Sequence, residues 1–526
     1  MIAVCSPSDQ AIAVRRDRLL QQAVEDGNRR YRNDLRLVYY QDHRPTHRGG
    51  HVAQESLGYA AALLSLGQNT ERARILIEEV LRHQNLNKSD RCYGGFFWFS
   101  GQDEVIDHNA VSFVVPWLGW LVRHHAAELG EPLCTHIRKA MKISLDGLLA
   151  HPSAWSYTNI FLLNIAAKFA IAEICDDPRA RGIAEEQWRE WLYYTNQFGV
   201  VEYLSPTYTA VQIEALELIL DSSASESVSE EAQSVLNHYW TDLLLCFHKS
   251  SNRFVGTFSR GKPDEYLKGR SALSVLAFLH LGVPSGDLGC YNATHALSAR
   301  EISPPLLETL SAPLPRKLHR KLPMQGIERW SYLAESFAFA SQRGAYHFET
   351  SLLATWKDGG FFHKAPGSQH QNYCQQQDGH ALLVERWLAN SGPVSSRWTV
   401  FDRRHDPCPT IKESARYYLL ADFPIPSGHL VMELFAPSGY RIERSEHSWS
   451  AVCDITEATT CPLIAVSLSL RTSSPYKVAL SMKEETDFWL LLDESLRVAV
   501  PKKPELLCKG AGWDVPRGQF LDAIES

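Results

Sequence analysis

"VEYLSPTYTAVQIEAL", residues 201–216, ends as a helix but does not begin as one. Its last ten residues carry Val211, Ile213 and Leu216 at helical spacing, while Glu202, Tyr203, Ser205, Thr207 and Tyr208 crowd the start around Pro206. One small polar residue suffices to cap a helix. An acid, two hydroxyls and two tyrosines exceed that need, and the same pattern recurs along the first half of the chain.

Working outward, five helical stretches are apolar almost all round: "QESLGYAAALLSLG", "NAVSFVVPWLGWLV", "YTNIFLLNIAAKFAIAEIC", the stretch after Ser205, and "GRSALSVLAFLHLG". They start near Gln54, His108, Tyr157, Ser205 and Lys268, a period near fifty residues, and amphipathic helices such as 71–84 and 181–196 lie between them. Alternation of a buried with a half-exposed helix predicts an array of helical hairpins, with apolar helices inside and amphipathic ones outside. An (α/α) toroid satisfies this pattern. Its inner helices share one rim, so the clusters "HVAQES", "IDHNAV", "WSYTN", "EYLSPTY" and "EYLKGR" would meet there with the free N–H groups of the helix ends. The competing reading is that Ser205, Asn109 and Thr158 are N-caps and nothing more.

Beyond about residue 330 the pattern changes to short β-type runs, among them "ESFAFAS", "RYYLLADF" and "LIAVSLSLR". The Pro-rich "ISPPLLETLSAPLPRKL" lies between the halves. The expected fold is therefore multidomain, α then β. An (α/α) toroid over 1–310 carries the chemistry, a linker spans 311–329, and an antiparallel β-sandwich fills 330–526.

The bulk numbers agree with a large globular protein. The 526 residues are 44% hydrophobic and 21% charged, with a net charge of −7 and no long basic run, so nucleic acid is an unsuitable partner. No window is apolar enough for a membrane span, and "MIAVCSPSDQAIAVRRDRLL" has no signal-peptide pattern. Eleven cysteines occur singly, none as CxxC, which reads as reduced thiols in a cytoplasmic protein and excludes zinc held by paired cysteines. A homodimer is left open.

Chemistry-bearing residues concentrate in a few segments. "YYQDHRPTHRGGHVAQES", residues 39–56, holds His43, Arg44, His47, Arg48 and His51. The histidine spacing invites a metal, but Pro45 and the Gly49–Gly50 pair break the helix that would align the rings, so an anion-binding loop using Arg44, His47 or Arg48 is the expectation. "DEVIDHNAV" offers His108 beside Asp107 as a general base, with Asn109 next to it. Tyr157, Asn159 and Asn164 follow, then Glu202, Tyr203 and Tyr208, then Lys268 and Arg270. "CYGGFFWFSG", residues 92–101, supplies Trp98 and its aromatic neighbours for a sugar subsite or an apolar pocket. In the β half, His363, His370, Gln376 and His380 fall in a polar stretch expected to be a loop, either over the rim or exposed. GxGxxG, GxSxG, HExxH and GxxxxGK[ST] are all missing, so no cofactor is expected.

With the toroid plan, the Asn/His/Tyr/Arg rim and the trailing sandwich, the chain resembles the (α/α)-toroid polysaccharide lyases of the heparinase II/III-like and alginate-lyase-like kind. Asn109 or Asn159, His108, Tyr208 and Arg48 have the residue types of such a site, although His108–Asn109 reverses the Asn-His order of several families. The resemblance implies cofactor-independent β-elimination on a uronate saccharide. Asn or Arg neutralises the carboxylate, Tyr or His removes the α-proton, and a Tyr protonates the leaving oxygen. The expected catalytic set is His108, Tyr208, Tyr157 and Tyr203. Substrate binding is expected from Arg44, Arg48, His47, Asn109, Asn159, Trp98, Glu202, Arg270, His370 and Gln376, with no metal. Two other enzyme readings stand beside it: a dehydratase or cyclase of a small natural product, and a glycoside hydrolase using rim carboxylates such as Asp103, Glu104, Asp107 and Glu202. A non-catalytic carbohydrate-binding module is the third class.

Overall fold

The computed structural model describes residues 9–471 except 42–46, 223–224, 261–265, 268, 287, 323–326, 345–349, 365–369, 378, 388–393, 403–406, 416–417, 426–427, 436–439, 446 and 456–462. Two compact units result: Met1–Asp242 with Lys268–Glu308, and Leu243–Leu267 with Thr309–Ser526.

The first unit is helical. In chain order it contains α1 (Asp9–Arg30), α2 (Gln54–Ser65), α3 (Thr70–Arg82), α4 (Ala110–Leu129), α5 (Glu131–Ala150), α6 (Thr158–Ile174), α7 (Pro178–Phe198), α8 (Tyr208–Ser222), α9 (Glu226–Cys246), α10 (Ala272–Leu281) and α11 (Asn292–Ser298), α9 running on past its boundary. Helix α6 buries every residue from Thr158 to Ala172, whereas α7 buries only Ala180, Ala184, Trp188 and Trp191. That contrast is the all-round against the one-sided apolar pattern of the sequence. The buried helices neighbour one another in the order α2, α4, α6, α8 and α11, and α11 packs back on α2; α3, α5 and α7 lie against α2, α4 and α6. Closure at α11 depends on Gly58, where an added Cβ would sit 2.5 Å from the Cys290 carbonyl oxygen. It is reinforced by Asp26 of α1, which accepts the Cys290 N–H at 3.0 Å and pairs with Arg30.

The second unit is antiparallel β. One eight-stranded sheet runs Arg441–Ser445, Ser448–Ile455, Val394–Asp402, Gly359–Lys364, Leu352–Trp356, Phe337–Arg343, Ile327–Leu333, Arg316–Leu322 from edge to edge. A six-stranded sheet runs His370–Gln377, His380–Trp387, Leu463–Arg471, Gly428–Phe435, Tyr418–Ile425, Thr410–Ala415. Phe339, Trp356 and Phe361 of the first share a core with Leu383, Met432 and Leu468 of the second.

The chain divides differently from the sequence expectation in two places. The Pro-rich stretch 311–329 does not remain a linker, because Arg316–Leu322 pairs with Ile327–Leu333 as an edge strand. Residues 243–267 belong to the β unit. Buried Arg253 explains this: its guanidinium donates to Thr355 Oγ1 at 2.7 Å, the Gly359 carbonyl at 3.0 Å and the Leu267 carbonyl at 2.6 Å. A buried guanidinium needs that many acceptors; Thr355 and Gly359 on the two strands around the turn after Trp356 supply two, and Leu267 of the same segment supplies the third.

Candidate functional site

The starts of α2, α4, α6, α8 and α11 meet at one cavity in the helical unit, of about 400 Å³. Each contributes: Gln54 from α2, Asn109 ahead of α4, Tyr157 and Asn159 from α6, Tyr208 from α8, and Tyr291 ahead of α11. Helix α10, the fifth apolar helix expected from the sequence, is buried but lines no part of it. Tyr40, His47, His51, Trp98, Phe99 and Asp107 line it too. The aromatic wall is held by backbone pairing: Val52 N–H donates to the Trp98 carbonyl at 2.9 Å, Ser100 N–H to the Gly50 carbonyl at 2.9 Å, and His51 bridges Phe99.

Capping accounts for Ser205, whose hydroxyl accepts the Tyr208 N–H at 3.0 Å. It does not account for Asn109, which makes no side-chain cap bond and instead donates from Nδ2 to Tyr157 Oη at 3.4 Å. Nor does it use the Asn159 side chain. The first turn of α6 is capped by Glu202, whose carboxylate accepts the Asn159 backbone N–H at 2.8 Å. The Asn159 amide is thereby left over. The residue is 1% exposed, and neither Nδ2 nor Oδ1 makes a hydrogen bond in the protein. His51 Nδ1 and Trp98 Nε1 are buried and unpaired as well. Such groups cost about 1–3 kcal/mol each. Three of them lining one cavity are what a polar ligand would satisfy.

His51 is held neutral. Burial first, then the charge of Arg30 and the neighbouring His47, bring its pKa down to about 3. Glu55, at the cavity margin, is buried and raised by that burial, opposed by its ion pair with Arg30. Among the described lining residues there is no Lys or Arg.

The sequence expectations sort accordingly. Tyr208, Tyr157, Asn109, Asn159, Trp98 and His47 line the cavity. Glu202 and Tyr203 are buried without lining it, and Glu202 acts as the α6 cap rather than a substrate ligand. Arg48 and Arg270 are exposed and line no part of it, so the expected carboxylate clamp is not formed by them. Arg44 lies outside the described residues. His108 turns away: its ring stacks on His151 with centroids 3.5 Å apart. The stretch expected as a loop at 363–380 is largely strand. His363 is buried and bonds Ser396 Oγ at 2.8 Å, while His370 and Gln376 sit on the strand His370–Gln377. His51, Asp107 and Tyr291 complete the cavity. Tyr291 was not signalled, because the seven-residue α11 is too short to show a period.

His51 and His280 give the helical unit a pH dependence with a definite sign. Burial, followed by Arg16 and Arg15, brings His280 to about 3. Both rings stay neutral in the fold but take a proton near 6.5 when unfolded, so the unfolded state binds more protons between those values. Stability is then lost as pH falls from 6.5 towards 3, by about 1.4 kcal/mol per pH unit for each ring. Buried Glu217, raised to about 8 by burial, contributes the opposite slope above pH 4.5. The test is therefore a difference: going from pH 7 to pH 4 should cost the wild type more melting temperature than His280→Leu, and equal losses would remove His280 from the account.

No family model matches the sequence, and no curated protein matches it. Comparison with solved structures matches a heparinase III gene product at 9% identity and a TM-score of 0.33, covering 87% of this chain and 85% of that one. It also matches endoglucanase CelQ from Clostridium thermocellum, solved with cellotetraose, at 10% identity and a TM-score of 0.28, covering 88% and 93%. No helix among the described residues is long and apolar enough to cross a membrane.

Proposed function

We propose that the helical unit is an (α/α) toroid and the protein a cofactor-independent lyase that performs β-elimination on a uronate-containing oligo- or polysaccharide. The observation that carries this reading is the unpaired Asn159 amide in a cavity ringed by Tyr208, Tyr157, Asn109 and neutral His51. The Asn159 amide donates to the C6 carboxylate, aided by the N-terminal ends of α4, α6 and α8, and stabilises charge as it spreads into that group. His51 accepts the C5 proton at Nδ1 and, because burial disfavours its imidazolium, passes that proton on so that the Tyr208 hydroxyl is restored after each turnover. The C–H electron pair becomes the C4=C5 bond, the C4–O bond breaks, and Tyr208 gives its hydroxyl proton to the leaving oxygen. Trp98 and Phe99 offer flat apolar faces to the sugar rings.

A hydrolase needs two working carboxylates. Among the described residues, Asp107 and Glu55 are the acids that line the cavity, and Glu55 is tied to Arg30, so elimination is the better fit.

The test is ultraviolet absorbance during incubation with a panel of uronate oligosaccharides. Absorbance should rise from the new conjugated C=C, and Arg48→Ala, whose side chain lines no part of the cavity, should stay near wild type. New reducing ends without that absorbance would mean hydrolysis instead. A flat trace with no product would end both readings and favour the small-molecule cyclase or dehydratase.

A further inference from the structure

The loop 151–157 and the end of α7 build an aromatic platform in the helical unit. The Trp155 indole stacks on the Tyr194 ring with centroids 4.8 Å apart and planes 11° apart, and on Phe198 at 6.0 Å and 26°. Tyr194 and Phe198, one turn apart on α7, lie 6.2 Å from each other at 20°. Rings on opposite faces of an indole would be at least about 7 Å apart, twice the ~3.5 Å contact of stacked carbons. The pair therefore shares one side of Trp155 and leaves its other face uncovered by them. Trp155 is half-buried, and Tyr193, edge-on to Tyr194 at 5.2 Å, is 59% exposed.

The chain places this platform on the rim where the cavity opens. Helix α7 returns along α6 after the short turn 175–177, so its last turns lie level with the start of α6. Trp155 is two residues ahead of Tyr157 of the cavity wall, a separation the backbone spans in about 7 Å at most. Phe198 ends α7, and Gly199, with a φ of 78°, turns the chain towards Thr207 and Tyr208 of the same wall. The core side of α7 is filled by Ala180, Ala184, Trp188 and Trp191, while Tyr193, Tyr194 and Phe198 stay partly or wholly at the surface.

We infer that the platform is an outlying sugar-binding subsite, where one ring of a saccharide chain held in the cavity lays its C–H face on Trp155. It rests on the proposed reading of the cavity as a saccharide site and extends it. A cavity of about 400 Å³ is at the small end of ligand sites, so a longer chain has to continue over the rim. The apolar face of a pyranose suits a flat aromatic surface, and this contact requires no charge on the sugar. Asn196 and Gln197, exposed between Tyr194 and Phe198 in the sequence, offer amides to the ring hydroxyls. The subsite touches no reacting atom, so it adds affinity for long chains and leaves the chemical step alone.

The test compares the full chain with Trp155→Ala on a graded series of uronate oligosaccharides, from trisaccharide to octasaccharide. The variant should raise KM for the long chains by about 3–10-fold, with kcat and all constants for the shortest chain unchanged. Trp155→Phe, which keeps a flat face, should retain most of the length preference; a loss equal to that of Trp155→Ala would mean loop positioning and overturn the stacking. Calorimetry on Tyr208→Phe, with and without Trp155→Ala, reads binding apart from turnover. If no chain is cleaved but long chains bind more tightly in a Trp155-dependent way, the lyase reading falls and the subsite stands. A wild type that treats long and short chains alike overturns the subsite, as does a folded Trp155→Ala that keeps the preference. Should Trp155→Ala fail to fold, Tyr193→Ala, exposed at the edge of the platform, is read by the same criterion. Sedimentation covers the other occupant: a dimer that Trp155→Ala dissociates would assign the platform to a second copy of the chain and reject the subsite.

Discussion

Tyr208→Phe should lower turnover on a uronate oligosaccharide by about 10²–10⁴-fold, the usual contribution of a positioned proton donor. Circular dichroism should not change. Tyr208 is the first residue of α8 and lines the cavity, while the cap of that helix uses Ser205 Oγ and the Tyr208 backbone N–H. Removing the phenolic oxygen leaves the cap in place. Of the other tyrosines at the cavity, Tyr157 accepts from Asn109, Tyr40 lies edge-on to His51 and Tyr291 lies edge-on to His295. The kinetic signature separates chemistry from binding. Loss of a group that acts in the transition state lowers kcat and kcat/KM together, whereas loss of a packing contact raises KM alone. Full activity in Tyr208→Phe would return it to packing and move the proton to another residue.

Much of the helical unit was legible because burial on all sides leaves a plain mark. A stretch such as 158–172 has almost no polar face, and the amphipathic 71–84 and 181–196 beside it do. The convergence of helix starts followed from that alternation, since Gln54, Asn109, Tyr157 and Tyr208 all meet at one cavity. What composition could not resolve is which way each side chain turns. Successive helical residues differ by about 100°. His108 and Asn109 are adjacent in sequence, yet one faces Cys92 and His151 while the other faces the cavity. Glu202 misled for another reason: an acid beside tyrosines resembles a catalytic group, and only the neighbouring helix reveals a cap. In the β half, short β-type runs marked the strands, but the membership of 243–267 depended on the acceptors of a single arginine.

Asn159→Leu is the sharper experiment, because function and stability should move in opposite directions. Glu202 caps α6 by accepting the Asn159 backbone N–H, which leucine retains. The side-chain amide makes no bond in the protein, so the fold bears a cost of about 1–3 kcal/mol that an apolar group of similar size avoids. Melting temperature should therefore rise by about 2–6 °C. Turnover should fall by about 10²–10³-fold, the effect of deleting a donor aimed at developing negative charge. A structural asparagine would lose stability on substitution, and an idle one would gain stability without losing turnover. Only a group kept unpaired for a ligand trades one for the other. Binding gives a further check: a saturating uronate oligosaccharide should raise the wild-type melting temperature more than that of Asn159→Leu, since the amide then finds its partner. An equal rise in both proteins would show that the carboxylate is held elsewhere in the cavity, and the proposed charge stabilisation by Asn159 would fall with it.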